Sequence, residues 1–238
     1  MQRYRSRTGG RPLRAFAAFV PLAALLGLGI GGALAQEEAP PSEGLVYRIP
    51  VTGVVELGLA PFISRSLDEA AEAGAVAAVL DIDTPGGRVD AAQQIADALG
   101  DARIPVYAYV NRRALSAGAL IALATDRIYM RPGSSLGAAT PVTGEGEKAS
   151  EKMVSAMRSE FRALAEAAGL DPAGKLLTLS TADAVRIGYA QEVADWDALL
   201  ATIGATGAAA VDTRPNWAEG IVRFLTHPLV SPFLLSLG

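Results

Sequence analysis

Hydrophobic and polar positions alternate in blocks along the middle of the chain. Leu45–Val51 reads as a strand, and Ala60–Glu72 has a helical spacing of apolar residues. Val76–Ile82 (VAAVLDI) is an apolar run of strand length that leads into the turn Thr84-Pro85-Gly86-Gly87. Val89–Leu99 is helical, with apolar residues at 91, 92, 95, 96 and 99. Pro105–Val110 (PVYAYV) is a second buried strand, Ala114–Ala124 a helix of small residues, and Arg127–Met130 a short strand. Strands that alternate with helices predict an α/β fold, with parallel sheets and helical crossovers. Farther on, Met153, Met157, Phe161, Leu164 and Ala168 follow one another at spacings of three or four, which predicts another helix.

The two ends depart from this pattern. Residues 1–14 hold five arginines and no acid, and Ala15–Ala35 is an uncharged, mostly apolar run that closes on Ala33-Leu34-Ala35. A basic region, an apolar stretch and a small-x-small site predict a signal peptide or N-terminal anchor over 1–35. With the arginines kept on the cytoplasmic side, the rest of the chain is expected to be extracytoplasmic. Residues 36–44 form an acidic, Pro-rich linker, and 45–204 the main domain. Residues 205–238 are expected to be a linker followed by a membrane-proximal apolar segment. That segment, Trp217–Gly238, is interrupted by Arg223, His227, Pro228 and Pro232, which argues against a single membrane span.

Composition narrows the chemistry. The 238 residues carry a net charge of -4 and no basic patch beyond the N-terminus, so nucleic acid is not an expected partner. The absence of cysteine excludes disulfides, thiolate metal sites and cysteine nucleophiles. One histidine, His227, excludes a site built on two histidines of one chain. The basic residues are arginines except for Lys148, Lys152 and Lys175, and arginine does not accept protons near neutral pH. No cofactor or metal is called for. Asp81 and Asp83 share one face of a strand, but two carboxylates without a third ligand are a weak metal signal. Asp83 is expected to accept hydrogen bonds from the turn that follows it.

Two glycine-containing turns follow the two most buried strands: Asp83-Thr84-Pro85-Gly86-Gly87 and Leu115-Ser116-Ala117-Gly118-Ala119. Glycines after a strand free backbone N–H groups and permit close approach. A serine between a strand and a helix sits where N–H groups point outward. Together the turns offer a nucleophile, Ser116, and an oxyanion hole. Each has an equally ordinary structural reading, Pro-Gly-Gly as a common turn and Ser116 as a helix N-cap. Ser116 also lacks the glycine two residues earlier that marks the hydrolase elbow, where Ala114 stands instead.

A nucleophilic serine needs a base. His227 lies in the broken apolar tail. A lysine can serve if burial lowers its pKa. Lys148 lies among acids, and Lys175 follows a turn. Lys152 opens the helix predicted from Met153 onward, beside its buried face and near its N-terminus, and both settings disfavour a positive charge. A solvated lysine in a first helical turn is the competing reading.

Asp83-Thr84-Pro85-Gly86-Gly87, then Ser116-Ala117-Gly118, then Arg131-Pro132-Gly133-Ser134-Ser135-Leu136-Gly137-Ala138 resemble the membrane-bound Clp-class serine proteases of the NfeD type, over about residues 45–200. The resemblance implies a Clp/crotonase-like spiral of ββα units and a Ser-Lys dyad. It places the nucleophile on Ser116, the base on Lys152 and the oxyanion donors on the N–H groups of Gly87 and Ala117. It further implies cleavage of apolar protein segments, a stomatin-like membrane protein as substrate, membrane association and a homo-oligomer. Two other readings remain open at this level: an inactive Clp-fold scaffold that binds a membrane partner, and a crotonase-fold enzyme acting on acyl-coenzyme A. The export signal argues against the second.

Overall fold

The computed structural model describes residues 44–137, 155, 159, 162, 163, 166, 178–227 and 230. Its frame is a sheet with strand order β6-β5-β3-β2-β1-β8. The strands are β1 (Leu45–Val55), β2 (Ala77–Gly87), β3 (Val106–Leu115), β4 (Arg127–Met130), β5 (Ser135–Gly137), β6 (Thr178–Ser180), β7 (Gln191–Glu192) and β8 (Ala209–Asp212). The helices are α1 (Leu59–Glu72), α2 (Val89–Gly100), α3 (Ala117–Leu123), α4 (Thr181–Arg186), α5 (Trp196–Thr202) and α6 (Trp217–Thr226). All strand pairs are parallel except β5 with β6.

The apolar runs of β2 and β3 form these strands because both faces are covered, as parallel sheets require. One face packs on α1, α2 and α3 through Phe62, Ile63, Leu80, Ile82, Ile95 and Ile121. The other holds Val46, Val79, Tyr109, Tyr129 and Leu199. β3 serves two partners. Tyr107–Val110 pairs with β4, and Arg113–Leu115 with β5. This split lets the chain turn from one sheet segment into the next.

The predicted strands gain length in the structure. β1 reaches Val55 rather than Val51, and β2 carries on through the Pro-Gly-Gly residues to Gly87. Ladder bonding to neighbours on both sides absorbs residues whose local signal is a turn. Two register shifts accommodate them, one between Thr52 and Val54 and one between Ile82 and Thr84. The small-residue helix starts at Ala117, later than the predicted Ala114. Residues 209–226, read from sequence as linker and apolar segment, form β8, which pairs with β1 from Leu45↔Ala209, and α6. Ser155, Ser159, Arg162 and Glu166 are helical and exposed, positions off the predicted apolar face at 153, 157, 161, 164 and 168.

Candidate active site

The ends of β2 and β3 meet at Thr84, which is fully buried. Its hydroxyl donates to the Gly53 carbonyl at 2.5 Å and accepts from the Gly86 N–H at 3.0 Å. One threonine thus ties the β1 bulge to the turn-like end of β2. Asp83 does not perform this role. Its carboxylate is paired with Arg113 Nε at 3.1 Å and with Arg112 at 3.8 Å. Asp81 is likewise held by Arg48, whose Nε donates at 2.9 Å. The guanidinium of Arg48 stacks 4.7 Å from the Trp196 ring centroid. Both carboxylates are therefore occupied by arginine, and no group of three metal-ligating side chains occurs among the described residues.

Gly86 and Gly87 are required by close approach. A Cβ on Gly86 would lie 2.7 Å from both the Leu115 carbonyl oxygen and Ser116 Cβ, and 3.2 Å from the Ala117 nitrogen. A Cβ on Gly87 would lie 2.1 Å from the Val55 carbonyl oxygen. The glycine pair is therefore wedged between β1 and the Ser116-Ala117 junction. The Gly86 N–H is spent on Thr84. The Gly87 N–H is one of the two oxyanion donors, with that of Ala117, that the family resemblance implies.

Ser116 is the one non-glycine residue with positive φ among the described residues, at φ 52 and ψ -117. That backbone state costs about 1–3 kcal/mol for a non-glycine residue. Three contacts enforce it. The Ser116 N–H donates to the Gly137 carbonyl at 2.8 Å, and its own carbonyl accepts from Ala119 at 2.9 Å and Leu120 at 3.2 Å. Ser116 stands at the N-cap position of α3, yet its side chain makes no cap hydrogen bond. The N-cap reading of the hydroxyl is thereby removed. Ala117, the first residue of α3, carries an N–H without an intrahelical acceptor. Gly118 completes the junction. A Cβ there would lie 2.3 Å from Thr84 Cγ2, so α3 crosses β2 at a distance only glycine permits.

Beside the glycines, Arg88 pairs with Asp90 through Nε at 2.9 Å. This hydrogen bond holds the Asp90 carboxyl below its ordinary range against the opposing effect of burial. The pair is half exposed and belongs to the rim. His227 closes α6 as its C-cap, its N–H donating to Phe224 at 3.3 Å. Lys148, Lys152 and Lys175 lie outside the described residues. The structure thus brings together Ser116, Ala117, Gly86 and Gly87. Two things were missed from the sequence: the interlock of Thr84 with Gly118, and the strained backbone of Ser116. A glycine two residues after a serine at a strand end was the available signal for the first.

Residues 45–174, more than half of the chain, match the family described as NfeD1b, N-terminal domain. The chain belongs to this family. Membrane protein NfeD1b of Bacillus subtilis is 40% identical over 237 residues, covering 91% of this chain and 54% of that protein. Membrane-bound protease PH1510 of Pyrococcus horikoshii is 27% identical over 228 residues, covering 83% of this chain and 52% of that protein. This NfeD1b-family chain therefore spans about half the length of the curated relatives it matches. Among solved structures, it resembles the 1510-N membrane-bound stomatin-specific protease. A lysine-to-alanine mutant of that protease in complex with a substrate peptide matches with a TM-score of 0.69 and 25% identity, covering 78% of this chain and 99% of the other. A serine-to-alanine mutant matches with a TM-score of 0.66 and 26% identity, covering 74% and 100%. ClpP1 of Listeria monocytogenes shares the fold, with a TM-score of 0.52 and 22% identity over 64% of this chain and 94% of that one. The NfeD1b-family domain thus has the Clp-like fold, as expected from its three sequence motifs.

Proposed function

We propose that this chain carries the catalytic domain of a membrane-associated serine endopeptidase with a Ser116–Lys152 dyad. The observation that carries the reading is the backbone of Ser116. A strained serine at a strand–helix junction, wedged against Gly86 and with no cap bond from its side chain, is costly as packing and serves to present a hydroxyl. The relatives add support: one is named a membrane-bound protease, and its amino-terminal domain was solved with a serine and with a lysine replaced.

In this mechanism neutral Lys152 takes the proton of the Ser116 hydroxyl as Oγ attacks the scissile carbonyl carbon. The N–H groups of Gly87 and Ala117 stabilise the developing oxyanion. Protonated Lys152 then gives its proton to the leaving amine as the C–N bond breaks. Water, deprotonated by the same lysine, releases the acyl group and restores Ser116. The substrate is an apolar segment of a stomatin-like membrane protein, in line with the named specificity of the 1510-N protease. The enzyme acts as a homo-oligomer on the extracytoplasmic side.

The test is cleavage of an apolar peptide from a stomatin-like protein. Ser116→Ala and Lys152→Ala should each abolish turnover, and Lys148→Ala should retain it. Unchanged cleavage by Ser116→Ala removes the proposal. Loss in Lys148→Ala with retention in Lys152→Ala reassigns the base.

A further inference from the structure

Helix α6 is amphipathic in the reverse sense. Its charged side chains turn inward. Glu219 is buried and receives Arg65 Nε at 2.7 Å and Nη2 at 2.8 Å. Arg223 Nε lies 2.8 Å from Oε1 of Glu56, a carboxylate only 2% exposed. The Thr226 hydroxyl donates to Glu56 Oε2 at 2.8 Å. The helix approaches α1 so closely that a Cβ on Gly58 would lie 2.8 Å from Arg223 Cγ.

The outward side is apolar. Trp217 is 81% exposed, Phe224 63%, Ile221 50% and Leu225 45%. At about 100° per residue, these four share an arc of roughly 100°, and Glu219, Arg223 and Thr226 lie across the helix from it. A surface helix ordinarily arranges the two faces the other way round.

We infer that this face of α6 lies in the interfacial layer of a lipid bilayer, with the helix axis in the membrane plane. Three features favour lipid over a second copy of the chain. First, every ionisable side chain of α6 is paired with the domain itself, so each charge meets the lipid interface already matched by its counter-charge. Second, the most exposed residues are a tryptophan and a phenylalanine, at opposite ends of the face, and large aromatic rings anchor helices at this depth. Third, the sequence that leaves the end of α6, Leu229–Gly238, holds no ionisable side chain and is mostly apolar. It calls for the same apolar phase. The inference rests on α6 and not on the dyad. A lipid-facing α6 in a chain without peptidase activity leaves it intact.

The absence of native cysteine permits a direct test. Single cysteines placed by Ile221→Cys, Phe224→Cys and, as an aqueous control at the end of α2, Asp101→Cys are labelled with an environment-sensitive fluorophore. The full chain is then reconstituted in vesicles of phosphatidylcholine and phosphatidylglycerol. The expected result is a blue shift and a several-fold emission gain at 221 and 224, with quenching by lipid-chain nitroxides and protection from aqueous iodide. The label at 101 should behave oppositely. Iodide quenching at 221 and 224 equal to that at 101 overturns the inference. Protection from iodide without nitroxide quenching also overturns it and assigns the face to a second copy. The Trp217 emission of the unlabelled chain, compared with Trp217→Phe, supplies the same reading without a cysteine.

Discussion

Gly86 lies against Ser116 so closely that a single added methyl carbon would sit 2.7 Å from Ser116 Cβ. The two residues are thirty positions apart in sequence, and each is shaped by the other. The open space at Gly86 lets β2 pass beneath the Ser116 turn. Its φ of +101 also lies in a region that other residues seldom occupy. Gly86→Ala is therefore expected to cost about 2–3 kcal/mol from backbone strain and overlap combined. That corresponds to a fall in Tm of roughly 4–12 °C for a domain of this size. Calorimetry checks the fall. An unchanged Tm would show that β2 and α3 separate more easily than their packing implies.

Ser116 stores strain, and glycine should release it. Ser116→Ala keeps a Cβ at positive φ, whereas Ser116→Gly removes it. Glycine gains freedom in the unfolded chain worth about 0.5–1 kcal/mol. The strain, about 1–3 kcal/mol, is the larger quantity. The glycine variant should therefore melt above the alanine variant by a few degrees, although both lose the proposed nucleophile. Equal melting temperatures would mean that the φ of 52 carries no cost.

The sequence revealed the order of strands and helices because β2, β3 and α2 have strong apolar periods that tertiary packing reinforces. Ser116 was singled out through its place after a buried strand and through the shortage of alternative bases. Other features are pairings between residues far apart in the chain. The Thr84 hydroxyl serves Gly53, Gly118 accommodates Thr84, and Arg113 takes Asp83 from the turn expected to hold it. No local spacing encodes such contacts. The segment holding α6 was read as apolar but interrupted by Arg223, His227, Pro228 and Pro232, and the inward pairing of Glu219 and Arg223 shows only once Arg65 and Glu56 are placed beside them. The short β8 was hidden because AAVD carries little signal without the edge of β1 to receive it.

Acid should loosen α6. The hydrogen bond from Arg65 is the largest influence on Glu219 and holds its carboxyl below the ordinary 4.5, and burial opposes it. The same contact raises the guanidinium, which stays charged throughout. A carboxyl depressed in the folded state contributes stability that is complete above its unfolded pKa, near 4.5 here. That stability is lost as the pH falls through the folded value. Glu219→Gln can keep the hydrogen bonds of the capping box with Asn216 but removes the charge. The variant should be less stable than the parent at pH 7, and the gap should narrow as the pH drops below about 4.5. Urea titrations at several pH values follow the gap. A gap independent of pH would show that the charge on Glu219 contributes nothing.

Glu56, the least exposed ionisable side chain among the described residues, should make Arg223 the more critical of the two helix anchors. Glu56 Oε2 is satisfied by Gly58 at 2.6 Å and by Thr226. Oε1 has no aligned hydrogen bond and relies on the ion pair with Arg223. Arg223→Ala leaves a buried carboxylate without its counter-charge, which costs about 3–5 kcal/mol for a fully buried pair. Arg223 retains some water contact, so the lower end of that range applies. The expected fall in Tm is roughly 6–12 °C. Glu56→Gln combined with Arg223→Ala should recover part of the loss, because the neutral amide no longer needs a cation. Glu56 also directly follows Val55, whose carbonyl accepts the Arg88 N–H at 2.8 Å and packs on Gly87. Movement of α6 therefore bears on the strand end that borders the glycine pair. Hydrogen exchange at Arg88, whose N–H is bonded to Val55, should quicken in Arg223→Ala and slow again in the double variant. Unaltered exchange there would show that β1 holds the glycine pair independently of the helix.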